Sequence, residues 1–401
     1  MKKGQTWLAV IVVGIGLVVA VVGGIFAYLS LTATPIHPSA QEVASIPVAT
    51  PSQKWTEAVA QGREIVRRSV IEQNLPGLSV AVGVGGDLVW AEGFGWADLE
   101  NKVPVGPQTR FKLGTASTVL TSAAAGLLLE NRRLHLDDVI QMHVPAYPEK
   151  KWPVTLRQVM GHLAGIPSDG GDEGPFRSET CGRPADGLRL FADDPLRFQP
   201  GTEYRFSNYG YVLVSTAVDA VAPVHFFDFM QQQIFKPLGM DDTLPDSATE
   251  QIPDRAMTYF PRGGDPSYGT DGGPRTTDYS CYGGGATFLS TPSDMVRFGM
   301  AINGGKLLQP ATVELLQTSQ RLSSGEETGY GLGWDLETVT LAGEQTTLAG
   351  HDGVWMGGPV ASLMTFRKHG VVVSVISNIA YTNSHGIGLK IAAAFAERAK
   401  N

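Results

Sequence analysis

The chain has 401 residues, 43% hydrophobic and only 17% charged, which gives enough apolar material for a sizeable core and excludes a disordered chain. Its 48 glycines follow no period, so collagen and simple repeats are excluded. A formal net charge of −8, with no long single-sign run, argues against nucleic acid as the main partner.

The N-terminal end differs from the rest. Residues 5–36 carry no charge, and Lys2 and Lys3 precede them. As a helix, the 25 residues from Trp7 to Leu31 would span about 37 Å, enough for a bilayer core of about 30 Å. A cleavable signal peptide has a shorter apolar region, about 7–15 residues, and a small-residue cleavage site. Here Pro35 and Pro38 stand where that site would fall, and no cysteine follows to carry a lipid. We therefore expect a signal anchor over residues 1–31, in contact with lipid through residues 7–31. Its N-terminus would be cytoplasmic and the main domain periplasmic or extracellular. Gly16, Ala20 and Gly24 recur every four residues, a small-residue face that admits a second membrane helix. The general abundance of Gly and Ala in membrane helices accounts for the same pattern. Residues 32–54, with Pro35, Pro38, Pro47 and Pro51, read as a semi-extended tether to a body at 55–401.

In the body, apolar residues recur at helical spacing from Trp55 to Asn74, and Pro76-Gly77 stops the helix. Leu78–Val84 and Leu88–Trp96 read as strands joined through Gly85-Gly86-Asp87. Ala116–Glu130 is rich in Ala and Leu on nearly every face, which predicts a helix buried at the centre of a domain. Residues 131–260 read as mainly helical with long loops. Strands return at Thr338–Leu348, Ala361–Arg367 and Val371–Ile376, with turns at His351-Asp352-Gly353 and Lys368-His369-Gly370, and residues 384–400 close the chain as a helix. Strands from both ends can join one antiparallel sheet flanked by helices, beside an all-α lobe: an α+β architecture, not an alternating β-α repeat. In an oxidising compartment Cys181 and Cys281 can pair as one disulfide, two unpaired thiols being the alternative. His135 and His143 flank Asp137 and Asp138, a pattern more often a solvated turn than a metal site, and nothing has zinc-ligand spacing. The Gly-rich stretches 263–273 and 283–285 lack phosphate-loop context, so no cofactor is expected.

Across residues 55–400 the chain resembles the serine β-lactamase and penicillin-binding-protein-like hydrolases, of the class C type that includes esterases and mitochondrial lactamase-like proteins. The resemblance rests on motifs in order: Leu75-Pro76-Gly77, Gly93-Phe94-Gly95, Thr109-Arg110-Phe111, Thr155-Leu156-Arg157 and Gly161-His162-Leu163-Ala164-Gly165. It continues through Pro200-Gly201, Ser207-Asn208-Tyr209-Gly210-Tyr211, Pro237-Leu238-Gly239-Met240, Tyr330-Gly331-Leu332-Gly333-Trp334 and Gly350-His351-Asp352-Gly353. The implied fold is an antiparallel sheet plus a helical lobe, and the implied reaction is acyl transfer through a serine ester. That reaction needs Ser-x-x-Lys at the start of the central helix, Tyr-x-Asn from the lobe and a Lys-Thr-Gly or His-x-Gly strand opposite. Positions three apart share a helix face, so the amine can take the hydroxyl proton, while backbone N–H groups bind the oxyanion.

The departures fall on those positions. After Phe111-Lys112-Leu113-Gly114, Thr115 stands in place of the serine and Thr118 in place of the lysine, and Phe206 replaces the tyrosine before Ser207-Asn208. Asn208, His351, Gly353 and the following Val354 remain as the substrate-binding positions the resemblance implies. No Ser-x-x-Lys occurs anywhere in the chain, and Ser117 points about 200° from Thr115 around the helix. Tyr381-Thr382-Asn383 matches Tyr-x-Asn by letters only, while Tyr204 and Tyr209 are near enough to Phe206 to lean into a cleft. His162 looks like the family's structural histidine. A positioned acid or base contributes about 10²–10⁴-fold in rate, and two are missing, so efficient turnover is not expected. Two readings follow: a membrane-anchored pseudoenzyme acting as a binding or accessory subunit, or a hydrolase with Thr115 as nucleophile and His351 as base.

Overall fold

The structure is a computed structural model that describes residues 16, 21–24, 35–168, 180–247, 249–260, 278–355 and 358–400. The expected anchor over 1–31 lies almost wholly outside the described residues, as does Ala20 of its small-residue face. Among the described residues, no single helix is long and apolar enough to cross a membrane.

The strands are β1 (Ser45–Pro47), β2 (Gly77–Val84), β3 (Asp87–Asp98), β4 (Val103–Pro104), β5 (Phe111–Lys112), β6 (Leu244–Pro245), β7 (Phe288–Ser290), β8 (Asp335–Leu341), β9 (Glu344–Trp355), β10 (Gly358–Phe366) and β11 (Val371–Ser377). Eight form one sheet in the order β1-β3-β2-β11-β10-β9-β8, with β4 on β3, while β5, β7 and β6 form a small second sheet. Strands from both ends of the chain meet where β2 pairs antiparallel with β11, Val80 opposite Val375. The β2–β3 hairpin closes through Gly85 and Gly86, both at positive φ (64° and 98°), the turn that matches strand twist.

Two corrections apply to the strands of the last third. Thr338–Leu348 is not one strand: Ala342 and Gly343, at φ 49° and 79°, turn the chain between β8 and β9. His351-Asp352-Gly353 is not a turn but part of the C-terminal half of β9, paired with β10. Its glycine serves close approach rather than reversal, because a Cβ at Gly353 would lie 2.0 Å from the Leu113 carbonyl oxygen.

Alternation along the central strands divides the core in two. Leu78, Val80 and Val82 of β2, with Val371, Val373 and Val375 of β11, pack with the opening helix (Thr56–Glu72) and the closing helix (Ser384–Ala399). Ala81, Val372 and Ile376 face the other way, into a larger core shared with the helix Pro292–Asn303 and the helical lobe. The central helix (Ser117–Glu130) lies inside that second core. Two of its buried hydroxyls are spent on neighbours: Thr121 donates to Gly284 O (2.8 Å) and Ser122 to Leu332 O (2.5 Å). The lobe is held covalently, since Cys181 and Cys281 form a disulfide, so the two are not unpaired thiols.

Residues 36–54 are not a free tether. Ile36 N–H donates to Asn74 Oδ1 (2.8 Å), and the buried His37 ring bonds the Leu75 and Pro76 carbonyls at 3.1 and 3.2 Å. Val43 is buried, and β1 runs antiparallel along β3 with Ile46 opposite Gly93. The physical reason is the edge of the sheet: β3 would otherwise present unpaired backbone groups, and the Pro-containing segment covers them.

Candidate active site

Positions 111–118 form a strand, a tight turn and a helix. Phe111 and Lys112 pair with β7, and Leu113 N–H bonds Phe288 O at 3.0 Å. Gly114 sits at φ 55°, and a Cβ there would stand 2.2 Å from Val354 O. Only glycine lets this turn lie directly on β9. Thr115 follows, 6% exposed. Its Oγ1 accepts from Val354 N–H (2.9 Å) and donates to Asp352 O (3.2 Å). The hydroxyl thus links the turn to a stretch of β9 that extends beyond the end of β8. Thr118, one helical turn on, is buried. Ser117 points elsewhere, accepting from Phe288 N–H at 3.3 Å.

Phe206 comes from the lobe, just before Ser207, whose Oγ accepts from Gly210 N–H (3.1 Å) at the start of the helix Asn208–Val221. The Phe206 ring lies 4.4 Å from the His162 ring and 6.0 Å from that of His351. Asn208 is nearly buried and accepts from Ser168 Oγ. Of the two tyrosines near Phe206, Tyr204 is the one that joins this cluster, its ring 5.7 Å from Tyr330. Tyr209 is stacked between Phe191 and Tyr282 instead.

Tyr330, which has no role in the sequence reading beyond a motif letter, is central here. Ser207 N–H can only donate, so His162 Nδ1 accepts (3.2 Å) and Nε2 carries the proton. That N–H meets Tyr330 Oη at 3.2 Å, and the phenol O–H in turn donates to His351 Nε2 at 3.1 Å. His351 Nδ1–H then bonds Asp352 O at 2.6 Å. One directed chain of hydrogen bonds thus crosses from lobe to sheet through three side chains, none more than 4% exposed. Burial, with a smaller contribution from His351, pushes the His162 imidazole down to about 3, and burial lifts the Tyr330 phenol well above its ordinary value. A signal for this chain exists in the sequence only as His and Tyr letters far apart.

The structure therefore brings Thr115, Asp352 and Val354 into direct contact, with Gly353 against the same turn. Phe206 joins His351 through ring contact. Both His351 nitrogens are bonded elsewhere, and no hydrogen bond joins His351 to Thr115. On the other face of β9, Asp352 binds Ser362 Oγ (2.5 Å) and His385 Nδ1 (3.1 Å). Burial raises the Asp352 carboxyl, but those two bonds and the nearby histidines bring it below its ordinary value. Tyr381-Thr382-Asn383 is a helix start: Asn383 Oδ1 caps Gly386 N–H (2.9 Å). His143 and His135 both reach Asp138 Oδ2, at 2.9 and 3.5 Å. Among the described residues, no group of three or more His, Cys, Asp or Glu side chains could hold a metal ion.

A sheet with a helical lobe, a turn opening a buried helix and a strand laid against that turn make up a β-lactamase/transpeptidase-like α+β fold. The Beta-lactamase family model matches residues 57–398, and the chain belongs to that family. It is 26% identical over 457 residues to the serine beta-lactamase-like protein LACTB, mitochondrial, of Mus musculus, covering 87% of this chain and 82% of the relative. It is 27% identical over 289 residues to penicillin-binding protein 4* of Bacillus subtilis, covering 70% and 63%. Among solved structures, the octameric penicillin-binding protein homologue from Pyrococcus abyssi superposes with a TM-score of 0.68 at 23% identity, covering 84% of this chain and 77% of that one. The hydrolase EstCE1 gives 0.71 at 22%, covering 85% and 98%. These two likenesses concern the fold.

Proposed function

We propose that this is a membrane-anchored β-lactamase-like protein that has kept the fold without the acyl-transfer chemistry and acts outside the cytoplasm as a binding or accessory subunit. The observation that carries this reading is the Thr115 hydroxyl, held between Val354 N–H and Asp352 O. An attacking hydroxyl must hand its proton to a base, yet this one donates to a backbone carbonyl, and the base positions hold Thr118 and Phe206. A threonine methyl further restricts χ1 where an oxyanion would form. The uncharged stretch 7–31 supports the anchor, and its Gly16/Ala20/Gly24 face suits a membrane-protein partner. The mitochondrial relatives are compatible with a compartment outside the cytosol.

The test is intact-mass spectrometry after incubation with a penicillin and with a fluorophosphonate, using Thr115→Ala as control. No mass shift is expected from folded protein. A shift that vanishes in Thr115→Ala would sink the proposal and favour the hydrolase reading, in which His351→Gln must also abolish labelling.

A further inference from the structure

We infer that the Cys181–Cys281 disulfide is a thiol-exchange site, at which a small thiol adds to Cys181 and expels Cys281. The two cysteines have different surroundings. Cys181 is 8% exposed and lines a cavity of about 220 Å³ with Thr180, Phe227, Ser280 and Thr287, whereas Cys281 is 1% exposed. Arg189 Nη2 lies 3.6 Å from Cys281 Sγ, and the same guanidinium is held by Asp186 O (3.0 Å) and Thr180 O (3.1 Å).

Exchange requires in-line attack by a thiolate on one sulfur and departure of the other, and a more stable leaving thiolate departs faster. Access favours Cys181 as the sulfur attacked. Cation stabilisation favours Cys281 as the sulfur that leaves, since a neighbouring arginine lowers a thiol's pKa. Both preferences select one direction. The incoming sulfur bonds Cys181 Sγ, the Cys181–Cys281 bond breaks, and its electron pair stays on Cys281 beside Arg189. A second thiol then attacks the adduct, releasing the Cys181 thiolate and a small-molecule disulfide, so the two electrons come from two thiols.

The state of this bond reaches the cleft through contacts already described. Cys281 belongs to the turn Ser280–Gly285. Within that turn Tyr282 stacks on Tyr209, next to Asn208, and Gly284 O receives the Thr121 hydroxyl of the central helix. Opening the disulfide loosens the start of the Asn208–Val221 helix. None of this depends on whether the cleft is catalytic.

The experiment treats the full chain in detergent with 2-mercaptoethanol, follows cleavage by acid-quenched mass mapping, and reads amide exchange at 208–212. The expected first adduct is on Cys181, with exchange at 208–212 faster once the bond is open. Arg189→Gln should slow cleavage about three- to tenfold, and Arg189→Lys, which restores a cation, should recover most of that loss. An adduct on Cys281, equal rates in wild type and Arg189→Gln, or unchanged exchange at 208–212 in the cleaved protein would each overturn the inference.

Discussion

His162 shows how a single buried side chain ties stability to pH. Burial lowers its folded-state pKa to about 3 from the ordinary 6.5, so the unfolded chain takes up the proton first as pH falls. Its contribution is complete above pH 6.5 and is lost between 6.5 and about 3, at about 1.4 kcal/mol per pH unit. His37, lowered mainly by burial, acts in the same direction. Urea midpoints measured from pH 7 to 4.5 should fall steeply in the wild type and less steeply in His162→Gln. Equal slopes would mean that His162 is not held neutral. The letters at 115, 118 and 206 were legible as departures from a motif. The bonds around them were not, because Tyr330 meets a histidine 168 residues away and another 21 residues on.

At the level of elements, the site is a contact between one turn and one strand. Leu113 O packs on the Gly353 Cα and Val354 O on that of Gly114, so each backbone uses the space where the other's Cβ would be. Gly353→Ala places a methyl 2.0 Å from Leu113 O and 2.9 Å from the Ala361 Cβ, and backbone cannot yield as a flexible side chain would. We expect a loss of about 2 kcal/mol or more in denaturant midpoints, with the sheet otherwise intact by circular dichroism. The opening, central and closing helices, the β2–β3 hairpin and the last two strands were readable from periodicity and turn residues. The β8–β9 turn was not, because Ala342 at φ 49° carries no turn signal, and the nearby His-Asp-Gly imitates one.

Across the whole molecule, residues 36–55, which precede the family-matched region, are part of the fold. Their prolines and small polar residues resemble a linker by composition, and only the pairing of β1 with β3 reveals otherwise. A chain starting at Trp55 loses the buried Val43, the His37 bonds and the cover on β3. It should unfold at least about 2 kcal/mol more easily than one starting at Pro35, Val43 burial alone being of that order. Equal stabilities would restore the tether reading. With residues 36–47 packed on the body as described, an anchor at 7–31 would hold it only a few residues from the bilayer.

The Cys181–Cys281 bond also makes the lobe a covalent ring, with the helix Asn208–Val221 inside it. A protease that cuts once between residues 182 and 280 releases nothing: the halves stay joined and migrate as one species until a reductant separates them. The sheet, built from segments before and after that ring, keeps its two ends connected through a single sulfur–sulfur link even when the backbone between them is severed.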